Sequence, residues 1–266
     1  MMSSELSPLN IARVVMAFGR RLIGFKIDMI NKPGSLASVL AVTAKHNLNV
    51  LCSVVAALSP SDEQASMFLV LDATEAAVEP KILFEELKGL PDVLDIKMAE
   101  PEIDGLLIDP FHFPILVGGW RGMIYISGPV ISMIERIKKE WGSAGETILF
   151  YEGVAAGEAL ERDWKPLLPG FTGEEIAASL LRIFKSLGWL RGEIVKWDEE
   201  APEAIIRTYD LFECSLAGPK DKPNSHLFRG LLTGLVSKLM GKEVIAIETS
   251  CVAKGDPYCE FLIKRR

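Results

Sequence analysis

Glu248-Thr249-Ser250-Cys251-Val252-Ala253-Lys254-Gly255-Asp256-Pro257-Tyr258-Cys259-Glu260-Phe261 is the stretch that decides how the C-terminal half of this chain is read. Lys254-Gly255-Asp256-Pro257 is a turn, because glycine permits a tight bend and proline fixes φ. Val244 to Val252 before it and Tyr258 to Lys264 after it read as the two strands of a closing hairpin. A hairpin of that length brings Cys251 and Cys259 into one place, with Glu248 three residues before the first thiol. Two thiolates and a carboxylate are three of the four donors a tetrahedral zinc ion takes. The spacing is not a Cys-x-x-Cys pair, so the residue types also accommodate two small buried hydrophobes packed side by side.

Upstream, Arg229 to Leu239 is a helix with a small-residue face of Gly230, Thr233, Gly234 and Ser237. Glu193 to Trp197 and Ala204 to Cys214 alternate as antiparallel strands. Gly173 leads into an amphipathic helix carrying Ile176, Leu180, Leu181, Ile183 and Phe184. Glu146 to Leu160 is helical, and Gly153 and Gly157 at four-residue spacing let another backbone approach closely. Val130 to Trp141 is a further amphipathic helix, while Ile115 to Val117 and Met123 to Ser127 read as short strands. Helices interspersed with antiparallel strands make the class α+β.

The run Glu248-x-x-Cys251-x-x-x-Gly255-Asp256-x-x-Cys259-x-Phe261, preceded by the Gly-bearing helix and Gly241, resembles the end of the 4-vinyl reductase domain. The resemblance extends over residues 115–266. It implies a fold enclosing an apolar pocket, and a site with a fourth ligand, a Cys, at the start of the preceding helix. Counting back from Gly241 places Ser225 there. His226 beside it, Cys214 on the preceding strand, or a water are the alternatives for completing the site. The expected metal set is Glu248, Cys251, Cys259 and His226, with zinc as the cofactor.

In the N-terminal half, Leu22 to Ile30 alternates as a strand, and Asn31-Lys32-Pro33-Gly34-Ser35-Leu36 turns it into a helix with Ser35 as a candidate N-cap. Asn47-Leu48-Asn49-Val50 closes that helix and opens a strand through Leu58. Ser59-Pro60-Ser61-Asp62 turns the chain, and a third strand (Ala65 to Leu71), a helix (Ile82 to Leu87) and a fourth strand (Val93 to Met98) complete a βαββαβ unit. The Asn-x-Pro-Gly-x-Leu loop followed by Asn-Leu-Asn-Val resembles an ACT domain, over residues 20–98. That resemblance implies a ferredoxin-like fold, an amino-acid ligand at Asn31, Gly34 and Ser35 at a helix N-terminus, and pairing through sheets into a homodimer. A purely structural turn is the alternative. The expected organisation is an N-terminal helical extension (1–19), the ACT-like unit (20–98), a turn-rich linker (99–114) and the C-terminal domain (115–266). His112, between Phe111 and Phe113, reads as packing.

The chain has 266 residues, enough for two ordinary cores. With 29 basic against 36 acidic residues and a net charge of -7, it has no basic stripe, and direct nucleic-acid binding is not expected. No apolar run reaches the roughly eighteen residues of a membrane span, and no signal peptide is evident, so a cytoplasmic protein is expected. Four cysteines make no disulfide framework.

Two classes of function remain. One is a small-molecule sensor or regulator, with a hydrophobic-ligand pocket walled by Trp120, Tyr151, Phe184, Trp189 and Phe228, signalling through an effector protein on another chain. The other, which the family name implies, is an enzyme or enzyme accessory acting on a vinyl-bearing, tetrapyrrole-like or other hydrophobic substrate. No dinucleotide fingerprint and no Ser/His/Asp set at recognisable spacing supports the second, so no catalytic residue is assigned.

Overall fold

The computed structural model describes residues 6–11, 13–57 and 61–266. They divide into two units, Met1–Met123 and Ile124–Arg266. In chain order the first unit holds β1 (Val14–Met16), β2 (Leu22–Ile30), α1 (Ser35–Lys45), β3 (Asn49–Ala56), β4 (Gln64–Asp72), α2 (Pro80–Lys88), β5 (Val93–Ala99), β6 (Leu106–Ile108), β7 (Ile115–Val117) and β8 (Trp120–Gly122). The second holds α3 (Ser127–Trp164), α4 (Gly173–Ser186), β9 (Arg191–Asp198), β10 (Glu203–Tyr209), α5 (Phe212–Ser215), α6 (His226–Met240), β11 (Val244–Ser250) and β12 (Cys259–Arg265).

Elements β2 to β5 form the expected βαββαβ unit, an antiparallel sheet in the order β3-β4-β2-β5. One face packs on the two helices: Ile23, Phe25, Ile27 and Met29 of β2 and Met67, Leu69 and Leu71 of β4 meet Val39, Val42, Leu83 and Leu87. The period-2 pattern of β2 suggests one wet face, yet Leu22 and Gly24 are buried as well. The cause lies in segments the sequence assigns to a helix and a linker. Residues 14–16 are a strand, β1, paired antiparallel with β6 from within residues 99–114. Val15, Ala17, Leu107 and Phe111 of this two-stranded strap pack on Leu22, Cys52, Phe68 and Val70 of the sheet's outer face. β-branched Val14-Val15 suits a strand once residues 106–108 supply the ladder. Residues 1–5 and the expected Leu58-Ser59-Pro60 turn lie outside the described residues.

Gly118 and Gly119, with φ of 58° and 87°, turn β7 into β8. The strand expected at 123–127 is instead extended chain running into α3. In the second unit β11-β12-β10-β9 is an antiparallel sheet. Its core joins Ile176, Leu180 and Phe184 of α4, Phe228, Leu231 and Leu235 of α6, and Ala204, Ile206, Phe261 and Ile263 of the sheet. The two helices expected over 130–160 are one element, α3, broken at Gly142 (φ 53°, ψ -130°). α3 crosses α6 glycine to glycine. A Cβ at Gly153 would lie 2.0 Å from the Leu227 carbonyl oxygen, and one at Gly234 2.1 Å from that of Val154. α4 starts with a capping box, Thr172 accepting from the Glu175 amide and Glu175 from the Thr172 amide. Among the described residues no helix is long and apolar enough to cross a membrane.

Candidate functional site

Four donor atoms meet where the closing hairpin reaches the start of α6. β10 ends at Tyr209, Asp210 takes a positive φ of 56°, and the single turn of α5 swings Cys214 inward. Glu248 stands on β11, where the register to β12 shifts between Glu248 and Ser250. Cys251 follows β11, a 3-10 turn over Val252–Lys254 ends at Gly255 (φ 98°), and Cys259 opens β12. Asp256 fastens this turn by accepting from the Cys251 amide at 2.7 Å.

One ligand atom each from Cys214, Glu248, Cys251 and Cys259 lie within 4.8 Å of one another, and all four residues are buried. Cys214 Sγ is 3.5 Å from Cys251 Sγ and 3.8 Å from Glu248 Oε1. A tetrahedron with Zn–S of about 2.3 Å requires roughly 3.8 Å between sulfurs, so the donors stand close to the separations a cation would impose. Three thiols and a carboxylate also have the chemistry zinc selects.

The protonation of the cluster follows from its burial. Hydrogen bonds with Cys251 and Cys259, with burial adding, push the Cys214 thiol far up. The same contacts, received at Cys251, hold that thiol far down, so one thiolate serves three sulfurs. Burial raises the Glu248 carboxyl to about 7. A divalent cation would displace these protons, which is why such sites bind more tightly as pH rises.

Cys214 lies on α5 rather than on a strand, and it supplies the fourth donor. Ser225 does not: its Oγ is 2.8 Å from Cys214 Sγ and donates to Glu248 Oε1 at 2.8 Å, while its amide donates to Glu248 Oε2 at 2.9 Å. It orients two donors instead of replacing one. The expectation that His226 joins the set is corrected. As the first residue of α6 its ring turns toward α3, with Nε2 3.8 Å from Glu146 Oε1. Burial lowers its pKa to about 4, and its buried Nδ1 has no hydrogen-bond partner.

Sequence reasoning missed Glu213. Fully buried, it accepts from the Leu227 and Phe228 amides at 3.0 and 2.9 Å, capping α6 from another element. Lys138 of α3 stands 3.7 Å from it and donates to the Asn224 carbonyl. No local pattern links Glu213 to Leu227 through a loop; only the juxtaposition of a polar Glu-Cys pair with the end of a strand marks it.

The aromatic residues expected to wall a pocket are dispersed. Phe184 and Phe228 are buried and packed edge to face, with centroids 6.2 Å apart. Trp189 stacks on Phe184 at 5.3 Å from the rim of that core. Tyr151 is exposed on α3, and Trp120 stands half-exposed on β8 of the first unit, no part of the second unit's core.

Asn31, Gly34 and Ser35 do gather at the start of α1. Gly34 is its N-cap at φ 97°. The polar groups are already engaged: Asn31 Nδ2 donates to the Asp62 carbonyl, the buried Ser35 hydroxyl to Asp92 at 3.2 Å, and Lys32 pairs with Asp92 at 2.7 Å. An arriving carboxylate would meet the Asp92 carboxylate there.

Three comparisons bear on the second unit. The vinyl-4-reductase domain family matches residues 204–265. An uncharacterized protein of Methanocaldococcus jannaschii is 36% identical over 72 residues, which are 27% of this chain and 40% of the relative, so the chain spans about two fifths of its length. The phenol-responsive sensory domain of the transcription activator PoxR, with phenol, superposes with a TM-score of 0.51 at 19% identity, covering 56% of this chain and 79% of that one. A vinyl-4-reductase family protein from Methanocaldococcus jannaschii is a weaker likeness, with a TM-score of 0.35 at 20% identity, covering 56% of this chain and 99% of that one. The chain thus carries a vinyl-4-reductase domain at its C-terminus, over residues that include Cys214, Glu248, Cys251 and Cys259.

Proposed function

We propose that this protein is a small-molecule-responsive regulator whose second unit is the sensor, its closing hairpin fastened to the start of α6 by a zinc ion. The observation that carries the reading is the convergence of four buried donors from α5, β11 and the hairpin. A four-donor site leaves no open coordination position, so zinc held by Cys214, Glu248, Cys251 and Cys259 would tie elements together. The family match and the fold likeness to a phenol-responsive sensory domain support a hydrophobic or aromatic ligand, with output through an effector on another chain.

Elemental analysis of protein purified without chelator is expected to find about one zinc per chain. Cys214→Ser and Cys251→Ser should each lose it, and His226→Gln should keep it. Metal-free, fully folded protein would overturn the zinc assignment. Mass spectrometry of small molecules released on denaturation tests the sensor reading separately; a tightly bound redox cofactor would replace it with the enzyme reading.

The first unit is proposed as an ACT-like pairing module. β3 is an edge strand, and Val50, Leu51, Val54 and Val55 along it are exposed. Such an edge invites a second copy. Val54→Lys is expected to convert a dimer to monomer in sedimentation velocity; an unchanged dimer would place pairing elsewhere.

A further inference from the structure

We infer that the strap formed by β1 and β6 is a pH-dependent fastening on the outer face of the first unit's sheet, closed by the doubly protonated imidazole of His112. The residues come from four separate places. Arg13 precedes β1, Asp109 and His112 follow β6, Asp28 and Lys26 stand on β2, and Ser66 on β4. Arg13 Nη1 pairs with Asp109 Oδ2 at 2.5 Å, and Arg13 Nη2 also donates to the His112 carbonyl. His112 Nδ1 lies 2.9 Å from Asp109 Oδ2, and its Nε2 lies 3.3 Å from Ser66 Oγ. Ser66 in turn donates to Asp28 Oδ1 at 2.7 Å. Phe68 meets the ring edge-on, with centroids 6.0 Å apart.

Counting donors and acceptors decides the state of the ring. A carboxylate only accepts, and a serine hydroxyl has one proton to give. Ser66 gives it to Asp28, the shorter of its two contacts. Nε2 must then donate to Ser66, and Nδ1 must donate to Asp109, so both ring nitrogens carry protons. A neutral imidazole leaves either Nδ1 facing Asp109 or Nε2 facing the Ser66 oxygen without a proton between them. The same count removes a nucleophilic reading of this Ser–His–Asp set, since Ser66 directs its proton away from the histidine.

The surrounding charges fit. Burial works against the Asp28 carboxylate, but hydrogen bonds from Lys26 and Ser66 outweigh it and hold its pKa below the ordinary value. Two carboxylates, Asp28 and Asp109, therefore face Arg13, Lys26 and the imidazolium. Asp95 and Lys97 stand opposite Asp28 and Lys26 on β5, and the buried Cys52 thiol on β3 is pushed up by burial and by Asp109. Because the closed strap binds the His112 proton, linkage requires closure to strengthen as pH falls and to weaken as it rises.

Hydrogen–deuterium exchange across pH 5 to 8 (roughly the range over which imidazoles titrate), corrected for intrinsic rates, tests this on the full chain. Protection of the amides of residues 13–17 and 105–112 is expected to fall at least tenfold from the acid to the alkaline end, while β2 and β4 stay protected. His112→Gln should flatten that dependence. The imidazole nitrogen shifts of His112 in the wild-type protein provide a reading free of any variant. A doubly protonated ring at the acid end supports the proposal. A neutral ring under a fully protected strap, or protection that does not change with pH, overturns it.

Discussion

His226 is the residue at which burial and chemistry are most sharply opposed. Its ring is 13% exposed, its Nδ1 lacks a partner, and Glu146 at 3.8 Å is too far to compensate fully. Burial holds its pKa at about 4, below the ordinary imidazole value. The unfolded chain therefore binds a proton between about pH 6.5 and 4 that the folded chain refuses, and stability is lost as pH falls through that window. The full penalty is of order 3 kcal/mol. Urea titrations of wild type and His226→Gln at pH 7.5 and 4.5 should show the wild type losing about that much more than the variant. Equal losses would mean that the ring protonates in place. The residue types of the metal set were legible early, because Glu248, Cys251 and Cys259 belong to one hairpin. Cys214 was legible only as one of several alternatives, because a one-turn helix has no periodicity to announce the direction of its side chain.

At the scale of elements, the α3–α6 crossing is held at a separation only glycine permits. Gly153 and Gly157 face Gly230 and Gly234, and every added Cβ would fall within 2.1 Å of a backbone oxygen. Their four-residue spacing in both segments made close approach readable from sequence, though not the identity of the partner helix. Gly234→Ala forces the backbones apart and is expected to destabilise the protein by about 3 kcal/mol, at the upper end for overpacking, measured as a drop in the denaturant midpoint. A change under about 0.5 kcal/mol, ordinary for a surface site, would show that the helices slide freely. The strap illustrates the opposite case. Three-residue strands such as β1 and β6 carry too few residues for alternation to separate them from a turn or the flank of a helix, and their partners are about ninety residues apart.

At the scale of the whole molecule, two cores close independently. The apolar cluster on α1 and α2 and the cluster built from α4, α6 and the second sheet share no residue. A fragment of residues 124–266 contains every donor of the metal set and is expected to fold alone with a cooperative melt and, if the zinc reading holds, the same metal content as the full chain. Failure of that fragment to fold would show that the first unit completes its core.

The sequence by itself determined the class of both units, the βαββαβ order, the hairpin that joins Glu248, Cys251 and Cys259, and the glycine faces that pack two helices. Each rests on a local period or a short turn, which neighbouring residues encode. Tertiary structure alone decided that Cys214 rather than His226 completes the donor set, that the expected N-terminal helix and linker are a strap, that the expected pocket aromatics are dispersed, and that Ser66, His112 and Asp109 meet. Those facts depend on which elements pack together, and contacts between residues tens of positions apart leave no period in the chain.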